Sequence, residues 1–255
     1  MSKLIVIIPT YNEIENIASI IDAVFFLKEP FHILVIDDNS PDGTAEKVKS
    51  LQLEYNTSHD QKLHLLQRAG KLGLGTAYIA GFKWALDNTY DFILQMDADF
   101  SHNPSDLPHL LEACIKGRAD MAIGSRYSTG VNVVNWSIKR VLLSYFASYY
   151  VRTVTRMRIM DTTAGFVSYA SEVLRTLPLD NVKFVGYAFQ IEMKFLTWKH
   201  GFYIQEVPIV FTDRKKGVSK MSTSIFKEAF LGVLWMTVKS WFKKYPQKKL
   251  SHKRK

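Results

Sequence analysis

Asp91-Phe92-Ile93-Leu94-Gln95-Met96-Asp97-Ala98-Asp99-Phe100-Ser101-His102 is the stretch on which the reading of this 255-residue chain turns. It opens as a strand, a short apolar run in mid-chain with no room for a helix. It closes in two carboxylates one residue apart. In extended backbone, residues i and i+2 point to the same side. Asp97 and Asp99 are therefore expected to present oxygens to one point beyond the strand's carboxyl end, the edge where open α/β sheets bind ligands. Close carboxylates repel unless a positive charge sits between them. A hard divalent cation such as Mg²⁺, held by one or two carboxylates and substrate phosphates, meets that need. Taken alone, the pair reads more simply as a polar turn with two solvated Asp side chains. The rest of the chain shifts that balance.

Working outward, residues 3–8 read as a buried strand, followed by Pro9-Thr10-Tyr11-Asn12-Glu13 and a helix over 13–27. A second strand over 31–36 runs into Asp37-Asp38-Asn39-Ser40-Pro41-Asp42-Gly43-Thr44 and a helix to about residue 51. A third strand over 62–66 precedes the glycine-rich turn Gly70-Lys71-Leu72-Gly73-Leu74-Gly75 and a helix over 76–86. A fifth strand is expected over 119–124. Strands alternating with helices predict an α/β fold, a parallel sheet covered on both faces. Farther on come an aromatic segment with Arg140 over 136–155, a turn at Asp161, a helix over 186–199 and a strand over 203–211. A polar loop over 212–224 carries Arg214 and Lys220, and an amphipathic helix over 225–242 ends in a basic tail. Two units follow: residues 1–224, and a membrane-interface helix and tail over 225–255.

Hydrophobic residues make up 47% and charged residues 22%, ordinary for a globular chain. The single cysteine, Cys114, excludes an internal disulfide and fits a reducing compartment. Pro9 cuts the first apolar run, so no signal-peptide core is seen, and no run reaches membrane-span length. A cytoplasmic protein is expected. The net charge of +9 is concentrated at the end: residues 243–255 hold seven bases and no acid, leaving +2 for the rest.

The turns around Tyr11, Asp37–Asp38 and Asp97–Asp99 lie at the carboxyl ends of successive strands, and topology gathers them at one edge. Each has a plainer explanation. Thr10 or Asn12 could cap a helix, Asp42-Gly43 could make a turn, and Gly73 and Gly75 could permit close packing. Together with an acidic pair poised for a metal, they look like a nucleotide site.

At these residues the chain resembles the inverting family 2 glycosyltransferases of GT-A fold, and among them the polyprenyl- (dolichyl-) phosphate mannosyltransferases. The matching segments are residues 9–13, 36–44, 72–78, 96–104, 124–127 and 213–220. The resemblance implies that Pro9, Tyr11, Glu13, Ile36 and Asp38 hold the guanosine half of GDP-mannose. Asp97, Ala98 and Asp99 would hold metal, Mg²⁺ or Mn²⁺, and diphosphate. Arg126, Arg214 and Lys220 would bind the donor, and Arg126, Arg140 and Ser144 would face the acceptor phosphate. Ser101 stands where some relatives carry a Gln that completes the metal shell, so it is a weak ligand, direct or through water. Asp161 reads chiefly as a structural turn carboxylate and secondarily as a site residue. The implied reaction is inverting transfer of mannose to a polyprenyl phosphate. The helix over 225–242 alone reads equally as a core-facing helix, and the basic tail after it favours a peripheral place on the cytoplasmic face of an anionic membrane.

Three other readings stay open at this point. One is a transferase using another donor such as UDP-glucose. Another is a phosphatase with Asp97 as nucleophile. The third is a nucleic-acid binder suggested by the tail, against which the near-neutral body and the lack of a recognisable motif both count.

Overall fold

The apolar runs of the first half fold as their alternation with helical segments demands. The computed structural model describes residues 2–186, 188–213 and 223–248, and only the backbone of 223–229. Strands β1 (Leu4–Thr10), β2 (Phe31–Asp37), β3 (Leu63–Gln67) and β4 (Phe92–Gln95) alternate with helices α1 (Ile17–Phe25), α2 (Thr44–Tyr55) and α3 (Leu74–Asp87). The four strands pair in parallel in the order β3-β2-β1-β4. Residues 4–8 are buried without interruption because helices cover both faces of the sheet. Gly81 brings α3 close to it: a Cβ there would stand 2.6 Å from Ile36 Cδ1 and 2.9 Å from Ile7 Cγ2.

The second half departs from a purely parallel sheet. After α4 (Leu107–Ile115) and β5 (Met121–Ser125), the chain leaves the sheet through β6 (Val133–Val134) and the long helix α5 (Ile138–Thr155). It returns as β7 (Val167–Ala170), antiparallel between β4 and β5. Val167 lies opposite Gln95, the last residue of β4. The chain thus re-enters from the carboxyl edge, and from there a strand can only run backwards. This reversal brings residues 161–166 to the edge where β4 delivers Asp97.

Next come α6 (Ser171–Thr176), α7 (Ala188–Lys199) and β8 (Ile204–Pro208), which is parallel to β5. The strand expected over 203–211 is broken in two. Its end, β9 (Phe211–Thr212), leaves the main sheet and pairs with β6. Helix α8 (Thr223–Trp241) packs on α5 and α7. One of its faces buries Val233 and Met236 in the core, while the other exposes Leu231, Trp235, Val238 and Trp241.

The start of the basic tail is not a free end. Lys248 bonds through its N–H to the His200 carbonyl (2.8 Å) and through Nζ to Asp120 (2.6 Å), and Gln247 donates to the Lys199 carbonyl (3.0 Å). The rest of the tail, 249–255, lies outside the described residues, as do Arg214 and Lys220.

Candidate active site

At the ends of β1 and β2 the carboxylates are braced from nearby. Asp37 is fully buried and accepts from Thr10 Oγ1 (2.9 Å), Ser40 N–H (2.9 Å) and Ser40 Oγ (2.6 Å). Asp42 accepts from the Thr44 N–H and hydroxyl and from the Ile14 N–H, so it makes the turn. Neither Thr10 nor Asn12 caps α1, whose N-cap is Asn16.

Asp38 is held by Arg68, with Nε and Nη2 reaching its two oxygens at 2.6 and 2.7 Å. Sequence reasoning passed over Arg68; its place directly after β3, level with Asp38, was the available signal. Lys71 Nζ lies 4.6 Å from the centre of the Tyr11 ring. The Ile36 side chain is wholly in the core, packed towards α3, which leaves its backbone as the part that can meet a ligand. Pro9, Tyr11 and Glu13 stand at and just beyond the end of β1. The glycine-rich turn is a packing device: Gly75 N–H donates to the Val185 carbonyl (2.8 Å), and a Cβ there would stand 2.7 Å from the Phe184 carbonyl oxygen.

Asp97 and Asp99 do meet, but not through the strand pleat. β4 stops at Gln95, Met96 N–H still bonds to the Ile7 carbonyl (3.1 Å), and residues 98–99 form a turn. The turn carries both carboxylates to one cavity, while Ala98 stays buried. Ser101 N–H donates to Asp99 Oδ1 (3.1 Å), with Phe100 left-handed at φ 59°. His102 stacks on Phe166 at 4.8 Å, and its Nδ1 accepts from the Asp97 N–H at 3.2 Å. The proton of the neutral ring is therefore on Nε2. Burial pushes the His102 pKa down against the opposing pull of Asp97 and Asp99.

The same cavity, about 170 Å³, is lined by Ser101, Arg126, Arg140 and Ser144 as well as by the two aspartates. Six of the expected site residues thus converge. Arg126 is gripped by Asp161: its N–H, Nε and Nη2 reach the carboxylate at 3.0, 2.7 and 2.6 Å, and Nη2 also reaches Thr163 Oγ1 at 2.8 Å. Burial pushes the Asp161 carboxyl up, but the guanidinium outweighs it and holds it below the usual range. Asp161 is fully buried and does not line the cavity; it positions Arg126. Arg140, on the first turn of α5, pairs with Asp213 (2.7 Å) and lies 4.1 Å from the Trp136 ring centre.

Sequence reasoning also missed two polar residues of α7. Gln190 lines the cavity. Lys194 is fully buried, donates to the Ala164 carbonyl at 2.6 Å, and is pushed down to about 7 by burial.

Among the described residues no three His, Cys, Asp or Glu side chains converge on one point. Asp97 and Asp99 offer hard oxygen donors, and His102 Nδ1 is turned to the backbone instead. This donor set suits Mg²⁺ or Mn²⁺ completed by substrate phosphates, not a soft or fully protein-caged metal.

A mostly parallel sheet with paired carboxylates past its central strand, faced across a cleft by arginines, is the architecture of nucleotide-sugar transferases. The chain belongs to glycosyltransferase family 2, whose sequence profile (Glycosyl transferase family 2) it matches over residues 5–178. It is an enzyme of that class with the GT-A fold, and the phosphatase reading of Asp97 falls.

Polyprenol monophosphomannose synthase of Mycolicibacterium smegmatis is 45% identical over 231 residues, 91% of this chain and 85% of that one. Undecaprenyl-phosphate mannosyltransferase of Micrococcus luteus is 42% identical over 240 residues, 94% of this chain and 96% of that one. Among solved structures, glucosyl-3-phosphoglycerate synthase from Mycobacterium tuberculosis, in complex with Mn²⁺, UDP and glucosyl-3-phosphoglycerate, superposes with a TM-score of 0.65. It is 16% identical, and the match covers 98% of this chain and 82% of that one. That likeness carries the fold alone.

Proposed function

We propose that this enzyme transfers mannose from GDP-mannose to a polyprenyl phosphate, with inversion at the anomeric carbon. One observation carries the reading. The cavity lined by Asp97 and Asp99 is lined as well by Arg140 and Ser144 of α5, a helix that also carries exposed apolar side chains. A site for a diphosphate and a site for a lipid-borne phosphate would thus adjoin. The names of the two relatives support the mannosyl group and the polyprenyl phosphate acceptor.

On this reading Asp97 and Asp99 hold Mg²⁺ or Mn²⁺, with Ser101 as a weak third ligand, direct or through water. When bound, such an ion stabilises the charge that builds on the leaving diphosphate. Arg126, fixed by Asp161, faces the phosphates with a pre-set guanidinium and no reorganisation at the moment of reaction. Pro9, Tyr11, Glu13 and Asp38 flank the nucleoside, and Arg214 and Lys220, which lie outside the described residues, bind the donor. A phosphate oxygen of the acceptor attacks the anomeric carbon, the sugar–oxygen bond breaks, and its electron pair leaves with GDP. The acceptor phosphate is already ionised near neutral pH, so positioning replaces a general base. Arg140 suits that positioning, since guanidinium and phosphate pair bidentately.

Among the described residues no helix is long and apolar enough to cross a membrane. Ile138, Leu142, Phe146 and Tyr149 are exposed on α5, Leu231, Trp235 and Trp241 are exposed on α8, and the two helices touch where Tyr150 stacks on Phe230 at 4.4 Å. We assign this paired face to the cytoplasmic surface of an anionic membrane, with residues 1–224 as the catalytic body and 225–255 as the membrane-facing helix and tail. An apolar face and basic residues supply the two signals that stable anchoring takes.

The test is incubation with Mg²⁺ or Mn²⁺, a polyprenyl phosphate and either GDP-mannose or UDP-glucose, followed by analysis of the lipid. A β-linked mannosyl phosphate formed faster than any glucosyl lipid is expected. Preferential glucosyl product would replace the donor assignment, and no lipid product from either would end the reading.

A further inference from the structure

Gln190 lies on the first turn of α7, 2% exposed, in the lining of the same cavity. Among the described residues neither its amide nitrogen nor its amide oxygen has a hydrogen-bond partner. Buried polar groups are seldom left this way, since an unmade bond costs the desolvation of the group.

The surroundings hold the residue in place. Lys194 Nζ bonds to the Gln190 backbone carbonyl at 3.3 Å and to the Ala164 carbonyl at 2.6 Å, which fixes the chain beside Gly165. A Cβ on Gly165 would stand 3.6 Å from Gln190 Nε2 and 3.8 Å from His102 Cε1. The bare glycine keeps the approach to the amide open.

The chemistry of the missing partner can be narrowed. An ionised phosphate only accepts hydrogen bonds, and a metal ion only takes lone pairs. Either would satisfy one end of the amide and strand the other. Neighbouring hydroxyl groups donate and accept together and satisfy both ends. We propose that the Gln190 amide reads a vicinal pair of hydroxyls on the hexose being transferred, and so helps set which sugar nucleotide the enzyme uses. This rests on the sugar-transfer reading above and adds a specificity-determining residue to it.

The experiment compares the full-length enzyme with Gln190→Leu. Melting temperature, affinity for GDP, and kcat/KM for GDP-mannose and for its 2-deoxy, 3-deoxy and 4-deoxy hexose analogues are measured. If the wild type prefers UDP-glucose, the same series is run on that donor. The melting temperature of Gln190→Leu should equal or exceed wild type, because an unsatisfied amide is replaced by an apolar group of similar size. GDP affinity should stay within about twofold, while kcat/KM for the intact donor falls on the order of 10–10². At least one deoxy donor should be poor for the wild type yet cost Gln190→Leu little beyond its existing loss.

Unchanged kcat/KM in Gln190→Leu would overturn the inference, the amide being satisfied by water alone. A melting temperature lower by several degrees, or a parallel loss of GDP affinity, would overturn it in favour of a structural role. Failure of the wild type to transfer any sugar is a separate result: it removes the functional reading, and this inference with it.

Discussion

At the ends of β2 and β4, Asp42 and Asp99 take hydrogen bonds from Thr44 and Ser101, each two positions further along the chain. Across the cleft, Asp161 takes Arg126 from 35 positions away, and Glu206 takes the N–H groups of Met160 and Asp161 from 46 and 45 positions away. On the side that ends β4, Asp99 is braced within its own turn, at the rim of a strand that would form without it, although neighbouring Asp38 draws on Arg68 from 30 positions away. The other half buries charge in long-range pairs that also hold the chain's return to the sheet. Removing a carboxylate should therefore cost chemistry alone on one side, and both chemistry and fold on the other.

The largest expected effect is on the donor side. Asp97→Ala or Asp99→Ala should lower turnover on the order of 10³ or more, and chelator should stop the wild type until Mg²⁺ or Mn²⁺ is restored. The melting temperature should hardly move. Full activity in chelator, or a collapsed fold in Asp97→Ala, would erase the contrast. On the other side, Asp161→Ala leaves Arg126 buried without its partner. It should destabilise the fold by about 3–5 kcal/mol, read by denaturant unfolding, as well as depress transfer. A variant as stable as wild type would show that the pair does not hold the return of the chain.

The donor side was legible because its information is local. Apolar runs of strand length, Pro9 and the aspartates at run ends place β1, β2 and β4 without knowledge of distant contacts. The mechanism of convergence was still misread: Asp97 and Asp99 meet through a turn, because the β4 ladder stops at Gln95. The acceptor side was legible only in pieces. Nothing near Asp161 announces that it faces Arg126, and nothing in residues 167–170 announces that this strand runs backwards. Arg68, Gln190 and Lys194 escaped for the same reason. Each matters through what the fold sets opposite it, and a lysine or glutamine in a helix otherwise reads as solvated.

Lys194 sharpens the comparison with pH. Burial pushes its pKa down to about 7, below the ordinary 10.5. Above the folded value the native state has released a proton that the unfolded chain still binds, so stability rises with pH from about 7 towards the unfolded value. Between about pH 7.5 and 9 the gain should be about 2 kcal/mol in wild type relative to Lys194→Met, which lacks the group. Parallel stability curves would mean that Lys194 stays charged throughout.

A smaller effect is expected at the tail. Removing residues 249–255 takes away four bases, each worth about 1 kcal/mol at an anionic surface and screened by salt. Liposome binding should weaken by about 10²–10³-fold at low salt and little at high salt, with transfer to a detergent-dispersed short-chain acceptor unchanged. Cutting from residue 243 should also lower the melting temperature, because Lys248 is tied to Asp120. Equal liposome binding by the shorter and the intact chain would confine anchoring to the α5–α8 face.

The division of one cavity into a donor wall and an acceptor wall is tested most directly by the kinetics of Arg140→Ala with each substrate varied in turn. The KM for polyprenyl phosphate should rise about tenfold or more while that for the sugar nucleotide stays within about twofold. A rise confined to the sugar nucleotide would put Arg140 on the donor wall and contradict the account.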